Sequence, residues 1–225
     1  MAKKGNNMKV KPIFEDITNN TSRWLQTRKG SEFEDIFEDK CKELGFTRKL
    51  KHSIKDKYEQ EFQTIKKLIH DNYNTKPISN ILNHDKSMID IFVWQPFGTQ
   101  DYPDFMIFTQ KYIIPVEIKY SSDTATSPMW NGNLPKANGI YVFGNNKKQD
   151  IVLFKGIDIL SNKTIKHYQH EIIKQKEIKN NNYNFKVSNI PFYQFDSKTN
   201  KYLFSDISRQ YLEPRLFEYL DKIDA

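Results

Sequence analysis

Cysteine is almost absent from this chain: among 225 residues there is one, Cys41. A lone cysteine closes no internal disulfide, so the fold must rest on its core, and a reducing compartment suits it. Cys41 falls on the apolar side of an expected helix and reads as core packing, not as a nucleophile. Long apolar runs are lacking too. The longest, MIDIFVW (88–94) and YIIPVEI (112–118), fall far short of the ~20 residues that cross a bilayer, which argues against a membrane partner. The opening MAKKGNNMKVK has no apolar stretch such as a secretory signal carries, and a cytoplasmic location is expected. No glycine-rich phosphate loop, no Ser/His/Asp set and no internal repeat stands out. No small-molecule substrate is therefore indicated. His167 and His170 share a helix face, but without a Cys or acid constellation they read as solvated residues and not as zinc ligands.

What the chain does have is enough apolar material for a core. Hydrophobic residues are 37% and aromatics 14%, which argues against global disorder despite a mean hydropathy of −0.75. The net charge is +7. A basic balance favours a polyanionic partner, and nucleic acid is the commonest one. Heavy use of Lys, Asn, Ile, Tyr and Phe also looks like a codon bias toward A and T, which accounts for part of that charge.

The hydrophobic pattern divides the chain. Residues 1–11 read as a flexible basic arm, with Lys3, Lys4, Lys9 and Lys11 either tracking phosphates or forming an unstructured tail. SEFEDIFEDKCKELGF (31–46) is amphipathic, with Phe33, Ile36, Phe37, Cys41 and Leu44 on one face and Gly45 as its stop. Residues 55–73 predict a second helix. Short β-branched and aromatic runs follow at 88–94, 105–109, 112–120, 139–144 and 150–156, separated by turn-rich pieces. A helix is expected over 163–179, a small hairpin from PFYQF and KYLFS, and a closing helix over 207–223. The fold class is therefore mixed α/β (α+β), one domain over 1–225 with a core at about 31–155 and a C-terminal part at 156–225.

Chemistry enters through a triplet. Acid-x-Lys occurs four times: Glu38-Asp39-Lys40, Glu117-Ile118-Lys119, Glu177-Ile178-Lys179 and Asp196-Ser197-Lys198. In a helix, residues two apart point about 200° away from each other. In a strand they share a face, and only Glu117 and Lys119 lie in an expected strand within an apolar run. Suppose 105–109 and 112–120 form a hairpin turning at Gln110-Lys111. Facing residues then sum to 221, and Asp104 stands opposite Glu117, with Cβ atoms roughly 5 Å apart. A three-residue loop would separate the faces. Pro115 cannot donate to a ladder, so the strand is expected to be bent, bulged or at an edge there. Two neighbouring carboxylates repel, and a divalent cation removes the conflict. Mg²⁺ takes one or two carboxylates plus waters and phosphate oxygens, and Lys119 is placed to orient the water or offset charge on the phosphate. The competing reading leaves Asp104 as a turn residue and Glu117–Lys119 as a solvated pair.

Asp104 in YPDF and Glu117 in VEIKYSS, with twelve residues between them, resemble the signature of the PD-(D/E)xK nuclease superfamily, and within it the type II restriction endonucleases. The likeness in element order extends over about 31–155. It implies a restriction-endonuclease-like core, a mixed central sheet flanked by helices, in a homodimer that cuts double-stranded DNA with Mg²⁺ at a palindrome and leaves 5′-phosphates. Chain size and composition are similar to those of a member that cuts an A·T-only site. By the same resemblance Asp104 and Glu117 are metal ligands, Ile118 lends its carbonyl and Lys119 assists the water. A further acid comes from an N-terminal helix in many members, a place that Glu34 fits. Ser31-x-x-Glu34 is equally a capping box, and both readings stay open. Glu38 is a lesser candidate, and Asp90 either competes as an acid or lies on a solvated face. A Holliday-junction resolvase or repair nuclease of the superfamily would carry the same residues. A non-catalytic DNA-binding protein would share the charge.

The polar segment 119–139 leaves the catalytic strand and suits DNA contact. Ser121, Ser122, Thr124, Thr126, Asn131, Lys136 and Asn138 offer partners for phosphates and base edges, and Trp130 a wedge between bases. An ordinary surface loop turning at Asn131-Gly132 is the alternative.

Overall fold

The computed structural model describes residues 8–27, 29–71, 74–122, 128, 135–159 and 206–225. Its helices are α1 (Lys11–Asn19), α2 (Thr21–Trp24), α3 (Gly30–Glu43), α4 (Lys51–Lys57), α5 (Glu59–His70), α6 (Gly156–Ile159) and α7 (Asp206–Asp224). Its strands are β1 (Thr47–Arg48), β2 (Ile78–Ser79), β3 (Ile91–Trp94), β4 (Phe105–Phe108), β5 (Tyr112–Ser121), β6 (Ile140–Asn145) and β7 (Asp150–Lys155). The seven strands form one mixed sheet in the order β1-β3-β4-β5-β6-β7, with β2 added to β5. β1 runs parallel to β3 and β5 parallel to β6; the other neighbours are antiparallel.

Alternation along the strands sends apolar side chains to both faces, as a sheet covered on both sides requires. One face carries Phe92, Phe105, Ile107, Ile114, Val116, Ile140, Val142, Ile151 and Leu153, and buries them against α1, α3 and α7. The other face carries Ile91, Val93, Met106, Phe108 and Ile113 under Ile54, Phe62, Ile65 and Ile69 of α4 and α5. A third cluster on that second face joins Tyr141, Phe143, Val152 and Phe154 to Ile159 and Leu212. Between these two apolar patches the alternation of β5 places Glu117 and Lys119.

The expected elements at 31–46, 105–109, 112–120, 139–144, 150–156 and 207–223 are all present, with ends shifted by a few residues. The end of α3 shows why Gly45 stops it. At φ 94° Gly45 adopts the left-handed conformation, its N–H reaches the Lys42 carbonyl, and the Phe46 N–H reaches that of Cys41. This is the Schellman closure. Cys41 is fully buried in the core.

Three expectations need correction. Residues 8–11 are not part of a flexible arm, while Lys3 and Lys4 lie outside the described residues. Val10 is buried, the N–H groups of Val10 and Lys11 donate to the Asp224 carboxylate at 2.9 and 2.8 Å, and Lys11 pairs with Asp221 at 2.7 Å. Lys11 thus ties α1 to α7. The helix expected over 55–73 is two helices broken at Tyr58, whose hydroxyl turns away to Asp85. Asp90 precedes the strand in a left-handed turn (φ 56°) and accepts the Met8 N–H, so it belongs to neither a solvated strand face nor the acid pair. The helix at 163–179, the following hairpin, His167 and His170 lie outside the described residues.

Among the described residues no helix is long and apolar enough to cross a membrane.

Candidate active site

The β4–β5 hairpin turns through Thr109–Tyr112, with the Thr109 N–H on the Tyr112 carbonyl at 2.9 Å. Its register pairs Phe105 with Val116, Ile107 with Ile114 and Phe108 with Ile113, the pairing the arithmetic of the turn predicts. One step beyond Phe105–Val116, Asp104 falls opposite Glu117. Two backbone amides then fix Asp104. The Gln95 N–H donates to its carbonyl and the Ile118 N–H to its Oδ2, both at 2.7 Å.

Pro115 lies within β5, opposite Met106. Because Thr109–Tyr112 is a hydrogen-bonded pair, Ile107–Ile114 and Phe105–Val116 are as well, and Met106–Pro115 is not. The Pro115 nitrogen therefore faces the other edge of β5. There β2 ends at Ile113 and β6 begins at Val116, so the missing N–H meets a gap. The expected edge exists, but only as this local gap in a continuous strand. By the same alternation both the N–H and the carbonyl of Ile118 point to the β4 side, beside Asp104.

The side chains form a charged cluster in the interior. Lys119 Nζ lies 2.7 Å from Glu117 Oε1. Glu117 is 8% exposed, and its Oε2 is buried with no hydrogen-bond partner. Burial pushes the Glu117 carboxyl up, against the pull of Lys119. Burial, and then repulsion from Glu117, push Asp104 up to about 8.

Glu34 approaches from the helix layer on the far face of the sheet. The helix starts from an extended Lys29 with no side-chain cap. The capping box therefore does not form, because Ser31 is already inside the first turn. Glu34 Oε2 instead accepts the indole N–H of Trp94 at 2.8 Å. Burial raises its pKa, and Glu117 adds to the shift. Glu38, one turn on, is tied to Arg48 at 2.7 Å and to Lys42 at 2.8 Å, which makes it a structural ion pair and removes it as a candidate. Within the Glu38-Asp39-Lys40 triplet the ends diverge, since Lys40 pairs with Asp16 and Glu43. Residues 177–179 and 196–198 lie outside the described residues.

The expected DNA-contacting residues separate. Ser121 ends β5 opposite Asn145, and Ser122 beyond it is exposed. Thr124, Thr126, Trp130 and Asn131 lie outside the described residues. Lys136 and Asn138 are corrected: they are 8% and 2% exposed. The Lys136 N–H donates to the Tyr141 hydroxyl, and Asn138 Nδ2 holds the Leu68 carbonyl of α5 at 3.1 Å. Both therefore pack inside the loop entering β6 and present no surface to a duplex. Burial lowers the Lys136 pKa, opposed by Asp101, Asp71 and Glu117.

Sequence reasoning missed Trp94, which holds the Glu34 carboxylate, and the Gln95 amide and His70, which hold the backbone at and ahead of Asp104. His70 Nε2 lies 2.7 Å from the Tyr102 carbonyl, just ahead of Pro103-Asp104. Only Trp94 left a signal, since strand alternation sets it on the face of Phe92, toward α3.

Among the described residues no three His, Cys, Asp or Glu side chains gather as a ready-made metal cage. The pair Asp104 and Glu117, with one buried carboxylate oxygen unsatisfied, nevertheless fits a hard cation that takes its remaining ligands from water and phosphate. Compared with family models, curated proteins and solved structures, the chain matches none.

Proposed function

We propose that this protein is a Mg²⁺-dependent, site-specific endonuclease that hydrolyses phosphodiester bonds of double-stranded DNA and leaves 5′-phosphates. The observation that carries the reading is the unsatisfied Oε2 of Glu117, buried opposite Asp104 while Lys119 occupies the other oxygen at 2.7 Å. An orphaned buried acceptor is costly, and two buried carboxyls side by side favour a cation. Asp104, Glu117 and the Ile118 carbonyl would hold it, with Glu34 nearby. When bound, Mg²⁺ supplies polarisation of the phosphate and a lower pKa for an attached water.

The chain's own groups then divide the remaining work. The Ile118 amide keeps the Asp104 carboxylate turned toward β5. Lys119 opposes the upward push of burial on the Glu117 carboxyl, and its ammonium is the donor that orients the attacking water or offsets charge gathering on the phosphate. The net charge of +7 draws in a polyanion. Cutting two strands takes two copies of one site, so a homodimer and a palindromic target follow.

The test is to incubate the protein with long duplex DNA, with and without Mg²⁺. Discrete Mg²⁺-dependent fragments support the proposal. A smear indicates a nuclease without site preference, and cleavage confined to branched DNA indicates a junction-resolving or repair enzyme. Salt-sensitive binding with no scission would reduce the protein to a DNA-binding one.

A further inference from the structure

We propose that Trp94 is a positioning residue that holds the Glu34 carboxylate as an outer acid of the site, braced from behind by Arg48; this rests on the metal-dependent reading above. The evidence is a contrast between two glutamates one turn apart on α3. Glu38 receives two cations, Arg48 and Lys42, at 2.7 and 2.8 Å, and its charge is cancelled. Glu34 receives the neutral N–H of an indole at 2.8 Å. An indole N–H donates and cannot accept. It therefore fixes the carboxylate's direction without neutralising it, and a cation needs that charge. Arg48 lies over the same ring, 5.1 Å from its centroid, while its guanidinium is anchored by Glu38 Oε1 and Oε2 at 2.7 and 2.9 Å.

The backbone brings this device within one residue of Asp104, on the other face of the sheet. Trp94 ends β3 opposite Phe105, the residue after Asp104. The chain then leaves the sheet at Gln95, in a left-handed conformation (φ 44°), with the Gln95 amide on the Asp104 carbonyl. One turn of chain thus sets both Asp104 and the partner of Glu34. An indole has few rotamers to lose, so its hold on a long glutamate is stiff.

The test compares wild type, Trp94→Phe, Glu34→Gln and the double variant. Two quantities are read: Ca²⁺ affinity by calorimetry without DNA, and the Mg²⁺ concentration giving half-maximal cleavage. Outer-shell partners of metal ligands are typically worth about 10- to 100-fold in affinity. Each single variant is expected to weaken ion binding by at least about tenfold on that scale, and the double variant no more than Glu34→Gln alone. Additive losses, or unchanged Ca²⁺ affinity in Trp94→Phe, would overturn the inference. If Trp94→Phe fails to fold, indole emission during a Ca²⁺ titration decides between wild type and Glu34→Gln. A change present in the first and absent in the second supports the inference, and no change in either overturns it. A wild type that neither binds the ion nor cuts would instead overturn the metal-dependent reading itself.

Discussion

Lys119 Nζ sits 2.7 Å from Glu117 Oε1, two residues away on the same face of β5. The lysine occupies one carboxylate oxygen and leaves the other, buried and unsatisfied, for something else. Removing the ammonium in Lys119→Met should lower the cleavage rate by at least about 10²-fold, the usual loss for one preorganised donor. Glu117→Gln should do the same by removing the charge. Neither change touches the exposed basic surface, so duplex affinity measured in chelator should stay within a few-fold of wild type. Cleavage at wild-type rate in either variant would count directly against the proposed function.

Cys41 tests the core in the same region of α3. It is fully buried, and burial drives its thiol pKa well above the usual range. The thiolate is the reactive form, so a thiol reagent should leave the native protein unmodified and react at once in denaturant. Cys41→Ser puts a hydroxyl among apolar neighbours, at a cost of about 1–3 kcal/mol, readable as a lower denaturation midpoint. Rapid labelling of the native protein would place Cys41 outside the core.

The parts of this architecture that could be read beforehand are those set by local pattern. Phe33, Phe37 and Cys41 repeat at helical spacing, Gly45 supplies the left-handed closure, and two short apolar runs flank a polar pair at Gln110-Lys111. The position of Asp104 opposite Glu117 follows from that turn by counting. What escaped depends on contacts distant in sequence. α1 carries its own apolar stripe, Ile13, Phe14 and Ile17, yet its start is fixed by Asp224, more than two hundred residues away. Trp94 meets Glu34 across 60 residues. Lys136 and Asn138 sit in a polar stretch that reads as surface, and only the packing of α5 and β6 around them draws them inside.

His70 links α5 to the backbone ahead of Asp104 through its 2.7 Å contact with the Tyr102 carbonyl. Burial is the main cause that holds its pKa below the ordinary 6.5, so the folded protein prefers the neutral ring. The unfolded chain takes up the proton first as pH falls. Stability from this residue is therefore complete above about 6.5 and is lost as pH drops through the folded value. His70→Ala should cost about 1–2 kcal/mol at neutral pH through the lost hydrogen bond, and should flatten the loss of stability below pH 6.5. Denaturant titrations across pH 5–7 measure both. A variant with wild-type stability and the same slope would show that the contact is incidental.

Asp104 should impose the opposite dependence at higher pH. Its folded pKa is raised from 3.8 to about 8, by burial first and Glu117 next. Between those values the folded state keeps a proton that the unfolded chain has released. Stability of the metal-free protein should therefore fall as pH rises across this window, by up to about 1.4 kcal/mol per unit for one proton. Asp104→Asn removes that proton from the balance. It should be more stable than wild type in chelator at pH 8, with a shallower slope; Glu34 and Glu117, raised in the same direction, leave a residue of it. Mg²⁺ at about a hundred times its dissociation constant should return about 2.7 kcal/mol to wild type and little to Asp104→Asn. Thermal unfolding in chelator and in Mg²⁺, from pH 5 to 9, checks each point. Metal-free stability that stays level or climbs over this range would mean that the two carboxylates do not repel each other in a buried site, and the case for a cation between them would fall with it.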